Sequence, residues 1–294
     1  MSTIVFDQEF RRVAKQLVDA AVDDYYNPYK TFDWPGTIDV GDGLWLSADL
    51  MTVAGTDAAR TLERDTLREL SKWESIHFYS LNVHGIRELL QEVVARVQTD
   101  GFLDATEFFH HFIGEENEHM WFFAEFCHRY GGKVYPAMNM PFPQVERTPL
   151  GHAFVVFSRI LVFEQIVDHF NKRMGGDPDL HPTIQAINRI HHQDESRHIA
   201  FGAQMVRVLF RELQRQGTPE EVEDVKQYVR RYVDASIASL YNPAVYADAG
   251  IADPLGFRRS LLADAARVGA HRQILRRTQD VFGRLGVLPA AVTS

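Results

Sequence analysis

Glu115-Glu116-Asn117-Glu118-His119 and His191-His192-Gln193-Asp194-Glu195-Ser196-Arg197-His198 are the two stretches on which the fold turns. Each contains Glu-x-x-His. Residues three apart share one face of an α-helix, so each pair can aim a carboxylate and an imidazole at one point. One such pair is commonplace on a solvated helix. Two pairs on separate predicted helices match the way a four-helix bundle holds two iron or manganese ions, with one further Glu from each of the other two helices. Mixed nitrogen and oxygen ligation suits iron better than calcium or magnesium, which prefer oxygen alone. His191 stands four residues before Glu195 and adds a third imidazole to that face, whereas His192 points about 100° away. Glu115 and Asp194 precede the two motif glutamates and are candidates to orient imidazoles from behind.

Helical periodicity extends outward from these motifs, and no Gly-x-Gly-x-x-Gly or phosphate-binding loop interrupts it. The pattern predicts helices over about 7–24, 57–97, 104–130, 151–174, 182–216, 219–240 and 253–285. Asp104 and Glu107 resemble a capping box that opens the third of these. The expected fold is all-α: one domain spanning 1–294, with a ferritin-like four-helix bundle over about 57–216 and additional N- and C-terminal helices.

Two helices must still supply a carboxylate each. Glu164 follows the apolar run Phe154 to Phe163, so it sits on or near a buried face. Burying a carboxylate without a partner is costly, and a metal would remove that cost. The alternative is an ion pair with Arg159 or Lys172. In the second helix Glu74 and Glu88 compete. Residues level with each other in an antiparallel hairpin lie equally far from its turn. Glu88 is level with Glu116 across a turn near Gly101, whereas Glu74 would lie roughly 20 Å along the helix at ~1.5 Å per residue. Glu88 is therefore the expected ligand. His84, one turn earlier, could approach the site or substitute as a ligand.

Composition excludes several classes. The chain has 294 residues, 45% hydrophobic and 24% charged, enough to bury a core. A formal net charge of -9 argues against a nucleic-acid surface. The single cysteine, Cys127, cannot form an internal disulfide. The apolar stretch 153–167 is broken by Arg159 and Glu164 and reads as too short and too charged for a membrane span. With no basic and apolar leader at Met1 to Asp7, the expectation is a cytoplasmic protein with neither nucleic acid nor membrane as partner. Iron storage and a metal-free scaffold bundle are the other classes such a chain allows.

The residues resemble the p-aminobenzoate N-oxygenase family of nonheme diiron oxygenases. Glu88, Glu116-x-x-His119, Glu164 and His191-x-x-x-Glu195-x-x-His198 carry the resemblance, which covers about 73–210. It implies two iron ions, with Glu116 and Glu195 bridging them. Glu88 and His119 would complete one iron, and Glu164, His191 and His198 the other. It also implies dioxygen as co-substrate, an external electron donor and a small-molecule substrate. N-oxygenation of an aryl or other amine in natural-product biosynthesis is the first expectation, and C–H hydroxylation or desaturation the alternative. A homodimer is the assembly considered. One departure stands out: the family's first Glu lies further upstream, near Leu81 to His84 here. Phe109, Phe112 and Phe123, with Phe126, share the face of Glu116 and His119. They would wall an aromatic substrate's pocket or simply fill the bundle core.

Overall fold

A computed structural model describes residues 4–138, 142 and 145–289. Among them every regular element is helical. The order is α1 (Gln8–Asp23), α2 (Pro28–Thr31), α3 (Ala58–Thr61), α4 (Arg64–Val94), α5 (Thr106–Phe126), α6 (Pro149–Gly175), α7 (Pro182–Gln216), α8 (Pro219–Ser239), α9 (Pro243–Asp248), α10 (Pro254–Ala263), α11 (Ala265–Ile274) and α12 (Arg276–Arg284). The bundle is α4 to α7. Its most extensive contact is α6 on α7, followed by α4 on α5.

Local chemistry starts these helices where the sequence suggests. Thr148 accepts a hydrogen bond from the Gly151 amide, and Pro149 takes the first helical position of α6. Thr218 caps α8 in the same way, ahead of Pro219. In both, the hydroxyl satisfies an amide with no partner in its own helix, and proline occupies a position where its missing N–H costs nothing. Asp7 caps α1 through the Phe10 amide and also accepts from Arg207 and Arg211 of α7. Arg207 is the main reason its carboxyl lies below the usual range. Phe10, Ala14, Val18 and Ala21 form the buried stripe of α1, which lies against α5 and α7.

Three boundaries differ from expectation. The second predicted helix begins at Arg64, because Leu62, extended in backbone, breaks it from α3. Asp104 does not cap α5: it sits in a tight turn, Leu103–Ala105, and pairs with Arg11 at 3.0 Å. The predicted helix over 253–285 is three helices, since Asp264 is extended and caps α11 through the Ala266 amide. The α6 helix is longer than the 153–167 stretch suggested and is apolar enough, by length and composition alone, to cross a membrane. Most of that apolar stretch is buried inside the bundle, where it packs on α7 and α8.

Core packing is tight where α6 meets α7. A Cβ added to Gly175 would lie 3.0 Å from the Arg189 backbone nitrogen and 3.1 Å from its Cα. Backbone cannot swing aside as a side-chain tip can. Gly175→Ala is therefore expected to push the two helices apart and to destabilise the protein by about 1–3 kcal/mol. Thermal unfolding followed by circular dichroism should show Tm lower by several degrees.

Candidate metal centre

Glu116 and His119 come from α5, Glu164 from α6, and His191, Glu195 and His198 from α7. All six side chains are buried. Among the described residues, Glu116, His119, Glu195 and His198 offer ligand atoms that all lie within 4.8 Å of one another. His198 Nδ1 approaches Glu116 Oε1 to 2.8 Å, and His191 Nε2 approaches Glu195 Oε1 to 2.8 Å. The His119 and His191 rings are 4.4 Å apart, centroid to centroid.

With each imidazole neutral and its outer nitrogen carrying the proton, the inward-facing atoms lack hydrogen-bond partners even where a carboxylate stands close. They are both oxygens of Glu116, both of Glu164, Oε2 of Glu195, Nδ1 of His119 and His198, and Nε2 of His191. Buried polar atoms are almost always paired, so this many orphans in one place call for an explanation. Cations bound among them would satisfy them together, and the donor set of carboxylates and imidazoles suits iron or manganese. The ion pair weighed for Glu164 does not form: Arg159 bonds Glu88 instead.

The outer ring atoms are held. His119 Nε2 donates to Asp194 at 3.0 Å, and His198 Nε2 donates to Glu115 at 2.7 Å. Those bonds leave each Nδ1 as the inward lone pair, which is how a carboxylate behind a histidine fixes its tautomer. Asn171 lies against His191 Nδ1, and its own Oδ1 is without a partner. Turning that amide over would let His191 Nδ1–H donate to Asn171 Oδ1, satisfying both and leaving Nε2 free. Arg197 clamps Glu115 and Asp194 together, and Tyr26 donates its hydroxyl to Asp194 at 3.1 Å. Arg197, Asn171 and Tyr26 were not foreseen. Arg197 shares a helix face with Asp194, a spacing that could have signalled it. Tyr26 arrives from the loop after α1, which no local pattern announces.

Two expected residues lie elsewhere. Glu88 is half exposed and bonds Arg159 at 2.7 Å, so it takes no part in the cluster. His84 hydrogen-bonds the Tyr135 carbonyl at 2.7 Å and orients no ligand. His192 bonds Asp168, away from the cluster. Glu74, the rival to Glu88, is buried and accepts from the Thr52 amide and hydroxyl. Phe112 packs 4.6 Å from His198 and Phe123 packs 4.8 Å from His191, so both wall the imidazoles. Phe109 stacks on Phe157 in the core at 5.8 Å and touches no ligand, which corrects its assignment to a pocket. A cavity of about 90 Å³ lies instead between α4, α6 and α8, lined by Leu81, His84, Gly85, Phe163, Val167 and Tyr232, among others. Phe163 precedes Glu164 and Val167 lies about a turn beyond it, so cavity and cluster share one stretch of α6.

Residues 7–286 match the family described as P-aminobenzoate N-oxygenase AurF. The chain belongs to this family. Curated relatives include uncharacterized proteins of Mycobacterium bovis and Mycobacterium tuberculosis, each 23% identical over 213 residues. That match spans 68% of this chain but 62% of the relatives' length. A solved R2-like ligand-binding oxidase variant with an aerobically reconstituted Mn/Fe cofactor aligns over 96% of this chain and 95% of its own. Its identity is 14% and its TM-score 0.48. The buried Glu/His cluster lies within the residues that the family match covers.

Charge in the cluster is balanced by protons when no cation is bound. Burial and the neighbouring Glu195 raise Glu164 well above the carboxylate range. Burial would lower His119, but Asp194 and Glu116 outweigh it and lift the imidazole to about 10. His198 is raised by Glu115, Glu116 and Glu195 against the same burial. Burial lowers His191, so it stays neutral. A metal must displace the raised protons. Affinity for a divalent cation should therefore climb with pH between about 6 and 8, on the order of tenfold per pH unit for each proton released. Calorimetry in buffers of different ionisation enthalpy counts those protons, and a pH-independent affinity would contradict this picture. Asp194→Asn or Glu115→Gln should weaken metal binding by roughly 10–100-fold. Glu88→Ala should leave it unchanged.

Proposed function

We propose that the chain is a nonheme diiron oxygenase that uses dioxygen to oxygenate a small organic substrate, with an amine nitrogen as the preferred target. The observation that carries this reading is the set of orphaned, buried carboxylate and imidazole atoms from α5, α6 and α7. Glu164, His191 and His198 would hold one ion and His119 the other, with Glu116 and Glu195 within reach of both. Bound there, the ions would supply electrons to dioxygen and an open coordination position for it.

The chain's own groups set the conditions for that chemistry. Phe112, Phe122 and Phe123 pack around the imidazoles and keep bulk water from the cluster. Asp194 and Glu115 hold the outer protons of His119 and His198. The cavity between α4, α6 and α8 offers mostly apolar walls, with His84, Glu88, Tyr232, Ser236 and Ser239 as polar points. That lining suits a substrate with an aromatic or aliphatic body and a few polar groups. The family resemblance is what supports an external reductant and a place in natural-product biosynthesis as parts of this proposal.

The reading is tested by loading the protein with ferrous iron anaerobically, reducing it, and mixing it with labelled dioxygen and a panel of arylamines. N-oxygenated products carrying the label are expected by mass spectrometry, with product formation lost in Glu164→Ala. Label appearing on carbon would move the assignment to C–H chemistry. Slow deposition of ferric mineral without product would make it an iron-oxidising bundle.

A further inference from the structure

A dinuclear carboxylate bundle draws one Glu from each of its four helices, two of them within Glu-x-x-His pairs. Here α5, α6 and α7 supply Glu116, Glu164 and Glu195, and the remaining carboxylate should come from α4. The packing shows what α4 presents there instead. At one end Phe78 stacks on Phe170 at 4.9 Å, Tyr79 stacks on Phe123 at 5.2 Å, and Asn188 donates to the Tyr79 hydroxyl at 2.7 Å. Nearly two turns later Gly85 lies beneath the Phe163 ring, where an added Cβ would be 2.4 Å away. These contacts set the register, and both Glu164 on α6 and His119 on α5 fall level with the turn from Asn82 to Ile86. On that turn His84 and Gly85 line the neighbouring cavity. The fully buried side chains are Asn82 and Ile86, exposed by 0% and 1%. Neither is a carboxylate.

Asn82 carries a further mark. Its Nδ2 donates to the Phe78 carbonyl at 2.8 Å, which fixes the amide's orientation. Its Oδ1 is buried and has no partner. An orphaned carbonyl oxygen thus stands on the helix face where the bundle plan calls for a carboxylate.

We propose that the two metal positions are unequal: the Glu164–His191–Glu195–His198 position binds its ion tightly, and the Glu116–His119 position, completed on the α4 side by the neutral Asn82 carbonyl, binds its ion weakly. This rests on the metal-centre reading above. The tight position has two terminal groups beyond the shared carboxylates, Glu164 and a second imidazole, that the weak one lacks. Replacing a carboxylate by an amide removes a full negative charge beside a divalent ion in a medium that screens poorly. Affinity at oxygen-rich sites follows ligand charge.

The test is an anaerobic calorimetric titration of the metal-free protein with ferrous iron, followed by desalting and metal analysis. Wild type should show two steps, the second weaker by roughly tenfold or more, and should keep about one ion per chain after desalting. Asn82→Asp should strengthen the second step alone and move retention toward two ions. Ile86→Glu serves as a second variant with longer reach, and far-UV circular dichroism confirms that both are folded. Two equally tight ions in wild type would overturn the inference while leaving the oxygenase reading intact. So would a second step that neither folded variant strengthens. A wild-type protein that binds no iron would overturn the oxygenase reading, and the inference with it.

Discussion

Three carboxylates share one buried pocket, and the rest of the structure is arranged around that fact. Like charges at such separations in a poorly screening interior repel by several kcal/mol, and each also loses its hydration. No apolar packing offsets this. Without a cation, the cluster holds protons on Glu164, His119 and His198. With cations, the same side chains exchange protons for metal. The long helices α6 and α7, their close approach at Gly175 and the aromatic packing around the imidazoles all serve to hold ionisable groups where water cannot relieve them.

Much of this was legible because it depends on spacing along single helices. A Glu-x-x-His pair fixes two side chains on one face whatever the fold does elsewhere, and Glu164 announced itself by interrupting an apolar run. Glu115 and Asp194 followed from their adjacency to ligands. The error at Glu88 has a specific origin. Hairpin geometry gives the height of a residue along a helix, and that height was right: the turn beside it does lie level with the cluster. It does not give the direction in which the side chain leaves the helix. Glu88 projects toward α6 and α8, where Arg159 receives it beside Tyr232. That direction is decided by the helices α4 packs against, and no spacing within α4 encodes it.

The same limit explains Asp104 and Phe109. Asp104 stands at a plausible capping position, yet Arg11 from α1 claims its carboxylate. Phe109 lies on the predicted site face but too far along α5, where Phe157 and Phe201 enclose it. The cap reading of Asp104 and the pocket reading of Phe109 both fail because the group each meets comes from a segment distant in sequence.

The network behind the imidazoles links the centre to the N-terminal segment. Arg197 spans Glu115, Asp194 and Asp24, and Tyr26 bonds Asp194. Asp24 and Tyr26 follow directly after α1, and α1 is anchored through Asp7 to Arg207 and Arg211, further along the same helix as the ligands. The position of α1 on the bundle therefore sets how firmly Asp194 and Glu115 are held. Those two carboxylates decide which nitrogen of His119 and of His198 faces inward. A segment that contributes no ligand thus governs the tautomers on which ligation depends, and this is why the bundle alone, without its N-terminal helix, would be an incomplete metal site.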